Sequence, residues 1–195
     1  MKKNVFKIGF SILIIAMIIT MIGCSKKPVE TPAPPTGTGN SAEEGDIIVD
    51  PEPEGEVVRV TLYYVNEEYV TTGRDTLKKV LSLEKEVTVG EKSLEAVILA
   101  EIQKKPEGDK LSTALENIKI LSVDTAEKIA YVNLAGDRLS GGSLQEDLVL
   151  HQIVYSLTEL KDIDAVQLLV DGSKRETLMG HIFIEEPLKR QDLGY

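Results

Sequence analysis

Hydrophobic and polar residues alternate with a period of two in several short stretches of the chain. In Val57–Val65, Val58, Val60, Leu62 and Tyr64 fall on one face of an extended chain and Arg59, Thr61 and Tyr63 on the other. This alternation, with β-branched and aromatic residues, is typical of a strand. The same criteria predict further strands at Lys85–Val89, Asn117–Val123, Lys128–Leu134 and Ile163–Gly172, and an edge strand at His181–Ile184. The strands on either side of residues 124–127 predict a hairpin.

Two other segments have the apolar spacing of an amphipathic helix. In Ser93–Lys105 the stripe consists of Leu94, Val97, Ile98 and Ile102, and Ser93 can cap the first turn. The second helix is predicted to begin at Ser143, because Ser143 and Glu146 form an S-x-x-E capping box. Its predicted buried face consists of Leu150, Ile153, Val154 and Leu157.

The order of these elements predicts an α+β fold. Two amphipathic helices need a common apolar partner, and a sheet offers one. We therefore expect a two-layer sandwich with a mostly antiparallel sheet and two helices on one face, in the order β-α-β-β-α-β. This domain is predicted to span residues 56–190, which suits one hydrophobic core, and residues 191–195 form a C-terminal tail.

The N-terminal segment has the pattern of a secretory signal. Three lysines precede Ile8–Ile22, a run without charge. As a helix this run covers about 22 Å, whereas a bilayer core measures about 30 Å. Its size and basic flank fit a signal peptide. A buried core helix and an uncut membrane anchor are the alternatives.

The only cysteine of the chain, Cys24, directly follows this segment. Met21–Cys24, with the sequence MIGC, resembles the lipobox of bacterial lipoproteins. The resemblance implies a signal peptide of residues 1–23, cleavage between Gly23 and Cys24, and a diacylglyceryl group, with chains such as palmitate, on the Cys24 sulfur. Two acyl chains hold a protein stably on a membrane, so the expected location is the extracytoplasmic face of the bacterial cell membrane. An incidental membrane cysteine is the alternative.

Residues 24–55 are rich in proline, glycine and acidic residues and show no apolar period. Such a composition predicts a disordered tether. The formal charge of the chain is −10, and loss of the three lysines in residues 1–23 makes it −13. This acidic balance argues against nucleic acid as a partner.

The folded region resembles the GerMN domain of spore germination and sporulation lipoproteins. The stretches that carry the resemblance are VTLYYV, SLEKEV, AYVNLA, HQIVYSLTEL, VQLLVDG and GHIFIEEPLKR, within Val57–Arg190. Pro106 follows Lys105 where the family often has Gly-Pro, and Asn133 stands where it often has aspartate. The resemblance implies a non-catalytic envelope module, tied to sporulation or germination, that contacts envelope proteins or a second copy of itself. Only one copy of the domain is recognisable.

Few residues suggest chemistry of their own. The two histidines, His151 and His181, lack the spacing of a zinc site, and we expect packing or surface roles, with no metal and no cofactor. Ser140 and Ser143 do not form a nucleophile motif. The Asp171–Gly172 pair predicts a tight turn, and a weak calcium or carbohydrate site there is the alternative. Lys174 and Arg175 in that turn could meet an anionic glycan.

Three hypotheses therefore stand, in this order. An interaction module predicts an exposed sheet edge or apolar patch and no deep polar pocket. A protein that contacts peptidoglycan or another glycan predicts a groove with aromatic platforms, although the chain has only 6 tyrosines, 3 phenylalanines and no tryptophan. A hydrolase predicts a histidine beside an acid in a cleft, with perturbed ionisation.

Overall fold

The computed structural model describes residues 55–194. The strands are β1 (Glu56–Asn66), β2 (Val80–Val89), β3 (Leu111–Ser112), β4 (Ile120–Ala126), β5 (Ile129–Leu134) and β6 (Ala165–Val170). The helices are α1 (Glu67–Thr72), α2 (Leu94–Ile102) and α3 (Ser143–Leu157), with 3-10 turns at Gly136–Arg138 and Arg190–Asp192. No helix in this part of the chain is long and apolar enough to cross a membrane. The predicted signal peptide, the lipobox and the tether up to residue 54 lie outside the described residues.

The strands form two sheets of three strands each. The first has the order β2-β1-β3, in which β1 pairs with β2 from Glu56 to Val65 and with β3 only at Val65 and Asn66. The second has the order β4-β5-β6. Its β4–β5 pair is the predicted hairpin, and Glu127 and Lys128 in the turn have the positive φ angles that tight hairpin turns require.

Strand β6 pairs with β5 in parallel, from Ile129 with Ala165 to Leu134 with Val170. Parallel neighbours need a long crossover, and α3 supplies it. The predicted α+β class is confirmed, and the structure adds the division into two sheets and this one parallel pair. Helices α2 and α3 each contact strands of both sheets, so a single hydrophobic core joins the two sheets.

The buried faces largely follow the sequence pattern. Val60, Leu62 and Tyr64 of β1 are buried, and the α3 face of Leu150, Ile153, Val154 and Leu157 is fully inaccessible to solvent. On α2, Ile98 and Ile102 are buried while Leu94 and Val97 are partly exposed. The β1 face that carries Arg59 is more exposed, as the alternation predicts.

Several predicted elements need correction. The capping box was wrong: Gly142 is the N-cap of α3 without a side-chain bond, and the Glu146 carboxylate turns inward to other partners. Strand β2 begins at Val80, five residues before the predicted start at Lys85, because its first half pairs along β1. The predicted strand His181–Ile184 is not a strand, since only Phe183 there forms an isolated bridge, with Thr177.

Candidate functional site

A cavity of about 790 Å³ opens beside β1, β2 and α3. Its aromatic wall consists of Tyr63 and Tyr155, whose rings meet edge to face with centroids 5.3 Å apart. The His151 ring also lines it and stacks on Tyr155 at 5.4 Å. Among the described residues, one acid, Asp164, and four basic residues line the cavity: Lys78, Lys79, Lys189 and Arg190. The cavity is therefore locally basic in an acidic chain.

Arg190 braces the aromatic wall from the C-terminal segment. Its guanidinium lies over both tyrosine rings, 5.2 Å from the centroid of Tyr63 and 5.0 Å from that of Tyr155. It donates hydrogen bonds to Tyr155 O at 2.6 Å, Glu159 Oε1 at 2.6 Å and Thr158 Oγ1 at 2.7 Å. A guanidinium with this many fixed acceptors orients the wall and has little capacity left for a ligand.

The Glu159 carboxylate also holds this wall in place, because it accepts a hydrogen bond from the Tyr63 hydroxyl at 2.7 Å. Partial burial works against ionisation of Glu159, but the bonds from Tyr63 and Arg190 dominate and lower its pKa. Burial, with the Glu159 hydrogen bond, raises the pKa of Tyr63 despite the opposing effect of Arg190. Both shifts favour a neutral phenol that donates to an ionised carboxylate.

A second polar group holds His151 in place. Its Nδ1 lies 2.8 Å from Asp147 O and 3.2 Å from Asp147 Oδ1, and Lys79 Nζ lies 2.8 Å from Asp147 Oδ2. Burial of Asp147 opposes its ionisation, but the bonds from His151 and Lys79 outweigh it and lower its pKa. Both partners of Nδ1 are oxygens, so Nδ1 carries a proton, and in that tautomer Nε2 is a hydrogen-bond acceptor.

Nε2 is buried and has no hydrogen-bond partner among the described residues. The histidine expected to pack is packed, with 1% of its surface exposed. The hydrolase hypothesis required a histidine beside an acid in a cleft, and His151 with Asp147 meets that geometric condition. However, a nucleophilic hydroxyl must be hydrogen-bonded to the base, and within residues 55–194 none reaches Nε2.

The second candidate surface is the edge of β1 that faces away from β2. Tyr63 directs its backbone groups to this side, where its N–H donates to Ser156 Oγ at 3.0 Å and its C=O accepts from Gln152 Nε2 at 3.1 Å. Because backbone groups alternate between the two sides of a strand, those of Val57, Arg59 and Thr61 face the same way. Strand β3 does not extend to them. A cleft of about 140 Å³, lined by α2 and the end of α3, runs beside this open edge.

The other residues singled out from the sequence make structural hydrogen bonds or lie on the surface. Glu146, fully buried, accepts backbone N–H bonds from Leu178, Met179 and His181, each at 2.9 Å. His181 itself is exposed. Asp171 has a positive φ of 50° at the turn after β6, and its carboxylate accepts from Gly136 N at 3.1 Å. In the described part of the chain, no three His, Cys, Asp or Glu residues are grouped so as to hold a metal ion.

The sequence did not indicate the basic, aromatic cavity. Arg190 and Tyr63 lie 127 residues apart, and no local spacing connects them. Lys189 and Arg190 belong to the GHIFIEEPLKR stretch, which contributed to the family resemblance but carried no assigned role. The exposed edge of β1 agrees with the first hypothesis, whereas the large cavity was expected only from the second and third.

Two solved structures share this fold. The first GerMN domain of the sporulation protein GerM from Bacillus subtilis aligns with a TM-score of 0.55 and 16% identity, over 69% of this chain and 99% of that domain. The tandem GerMN domains of the same protein align with a TM-score of 0.53 and 22% identity, over 69% of this chain and 45% of theirs. The chain thus spans less than half of the tandem structure.

A comparison with curated proteins finds no match. A family model gives more direct evidence of relationship than the solved structures do. The family described as "Germane: Sporulation and spore germination" matches residues 61–176, which is more than half of the chain and runs from β1 to beyond β6. The chain therefore belongs to the Germane family of sporulation and spore germination proteins and carries a GerMN domain.

Proposed function

We propose that the protein is a lipid-anchored, non-catalytic interaction module on the extracytoplasmic face of the cell membrane, acting in sporulation or germination. Membership of the Germane family supports the process. The MIGC sequence at Cys24 supports the anchor. The observation that carries the interaction role is the open edge of β1, where three residues present backbone groups that have no strand partner within residues 55–194.

An open strand edge is a template for another strand. Strand addition satisfies the exposed N–H and C=O groups, and adjacent pockets select side chains of the added strand. Here the cleft beside the edge offers apolar contacts from Leu94, Ile98 and Leu160. Edges of this kind otherwise promote unwanted pairing, so an accessible edge beside an apolar cleft favours a partner strand as its occupant.

The charge at the centre of this edge favours a different protein over a second copy. Arg59 is exposed and is paired with Glu86 across the strand at 3.2 Å. A two-fold antiparallel pairing centred on Arg59 would place two arginines opposite each other, and like charges at opposed positions destabilise a sheet. We therefore expect a partner strand with an acidic or neutral residue at that position.

The test compares Arg59→Pro with Arg59→Ala in intact sporulating cells. Both substitutions remove the side chain and its ion pair, but only proline removes the outward N–H, and an edge position tolerates proline. A photocrosslinker at Thr61, followed by mass spectrometry, should recover one protein partner from wild type and from Arg59→Ala. The yield should fall at least about tenfold in Arg59→Pro. Equal recovery from both variants, with equal melting temperatures, contradicts the edge role.

The anchor has its own test. Cys24→Ser removes the acceptor sulfur and should shift the protein from the detergent phase to the aqueous phase, because the acyl chains provide the stable membrane attachment. Cys24→Ser that partitions as wild type does shows that the lipid assignment is wrong. Lysine substitutions in the tether, such as Lys26→Ser, serve as the control and should leave partitioning unchanged.

Peptidoglycan contact is the second candidate function, and the aromatic wall of Tyr63 and Tyr155 is the observation that favours it. Cosedimentation of the Cys24→Ser protein with purified cell-wall sacculi measures it. Recovery of glycan alone in the crosslinking experiment above would favour this function over the protein partner.

A further inference from the structure

We propose that the cavity beside Tyr63 and Tyr155 binds a small organic anion, which enters with its acid group towards the lysines and presents an N–H or O–H donor to His151. The site is separate from the open edge of β1, and the inference stands independently of the partner strand. The volume of about 790 Å³ lies in the range of ligand sites, roughly 300–1,000 Å³.

Charge determines which ligand group belongs at the mouth. Of the four cations that line the cavity, Arg190 is committed to the tyrosine brace and Lys79 to Asp147. Lys78 and Lys189 are exposed and make no ion pair with a described residue. They come from opposite chain segments, before β2 and before the last 3-10 turn. Two uncommitted ammonium groups at one opening favour a carboxylate or a phosphate.

His151, which also lines the cavity, determines which group the ligand must carry at its other end. Its ring is 1% exposed, and Nε2 is a buried polar atom without a partner in residues 55–194. Buried polar atoms nearly always have a partner. With its proton on Nδ1, which two oxygens of Asp147 engage, that tautomer of the ring offers an acceptor at Nε2, and a ligand satisfies it with a hydroxyl or amide N–H.

The aromatic wall supplies the contact between these two ends. Arg190 lies over both tyrosine rings, and the parts of the rings that line the cavity offer apolar area to the ligand's body. The wall is also pre-organised, because the Arg190 and Glu159 bonds hold Tyr63 before any ligand arrives. Pre-organisation reduces the ordering cost of binding.

Tyrosine fluorescence of the full chain in detergent tests the inference, because the protein has no tryptophan. The probes are acetyl-alanyl-alanine, its C-terminal amide, and glucose 6-phosphate. We expect saturable binding of at least one of the two anions, with the amide bound at least tenfold more weakly than the free acid. The anion that binds distinguishes a carboxylate from a phosphate ligand. Binding of neither anion, or equal affinities for the acid and its amide, overturns the proposal.

Variants locate the binding. Lys78→Gln with Lys189→Gln should weaken the anion about tenfold, the scale of one hydrogen bond to a charged group. Lys92→Gln with Lys161→Gln removes the same charge from exposed positions outside the cavity and should change affinity less than twofold. Similar losses of anion affinity in the two double variants would indicate that the lysines act through their long-range electrostatic field, and would contradict a site in the cavity.

Two further variants separate this site from its alternatives. His151→Phe keeps the stack on Tyr155 and removes Nε2, so affinity should fall several-fold while the preference for the acid over its amide remains. Unchanged affinity in a folded His151→Phe protein refutes the donor contact to Nε2. Arg59→Pro should bind the anion normally, so a failure of the edge interaction and a failure of this site are distinguishable.

Discussion

The Glu146 carboxylate connects α3 to the segment that follows β6. It is fully buried, and its two oxygens accept three backbone N–H bonds from Leu178, Met179 and His181 at 2.9 Å. The donors lie 32 to 35 residues further along the chain. This carboxylate therefore organises an irregular segment that has few regular backbone bonds of its own.

We expect Glu146→Ala to lower the free energy of unfolding by about 3–5 kcal/mol. A hydrogen bond to a charged group contributes roughly 1.5–3 kcal/mol. The three bonds share one carboxylate, so their contributions are not additive. In the Glu146→Ala variant, water can replace the carboxylate at the N–H of the exposed His181. The N–H of the buried Leu178 is left without an acceptor. Glu146→Gln should cost about 1–3 kcal/mol, because the amide oxygen still accepts while its NH2 group opposes a donor.

Ser143→Ala is the matched control, because the sequence-derived capping box and the structure disagree about it. Loss of a capping serine costs about 1 kcal/mol, but Ser143 makes no capping bond here, so we expect a change within about 0.5 kcal/mol. The measurement is urea unfolding of the Cys24→Ser protein followed by circular dichroism. A cost below about 1 kcal/mol for Glu146→Ala, or an equal cost for Ser143→Ala, refutes this account.

Two further predictions concern pH. Burial, followed by the Glu101 charge, raises the pKa of Tyr64 to about 12. The folded state therefore keeps the phenol proton to a higher pH than the unfolded state does, and stability should fall as pH rises from about 10 towards 12. Tyr64→Phe should remove this alkaline decline in urea unfolding, and a decline that persists contradicts the assignment. Burial opposes ionisation of Asp147, but His151 and Lys79 together outweigh it and lower its pKa, so its contribution to stability is present above about pH 3.9 and lost as pH falls through the folded pKa. Asp147→Asn should flatten the acid limb of stability against pH, whereas an unchanged limb shows that another carboxylate is responsible.

The elements with clear periodicity were predicted close to their observed positions. Strand β1, the β4–β5 hairpin and helix α3 follow from alternation and helical spacing, because a local pattern has to bury its own apolar face. The α+β class follows from their order. The family resemblance of Val57–Arg190 is likewise confirmed by the match over residues 61–176.

Other features had no local signal. Strand β2 extends back to Val80 because β1 is long enough to pair with it, whereas the sequence predicted this strand only from Lys85 onward. Glu146 has the spacing of a capping box, but the backbone donors near residue 180 offer more partners than the helix end does. A local pattern specifies which bonds are possible, and distant groups decide which are made.

The sequence by itself determined the secondary structure of the periodic segments, the acidic charge and the family. Only the tertiary structure decided that β6 lies parallel to β5, that no strand of the described part of the chain pairs with β1 at Val57, Arg59 and Thr61, and that Tyr63, His151 and Arg190 line one cavity. The physical reason is range: periodicity and capping act over a few residues, whereas strand neighbours and cavity walls are selected by packing between segments that are distant in the chain.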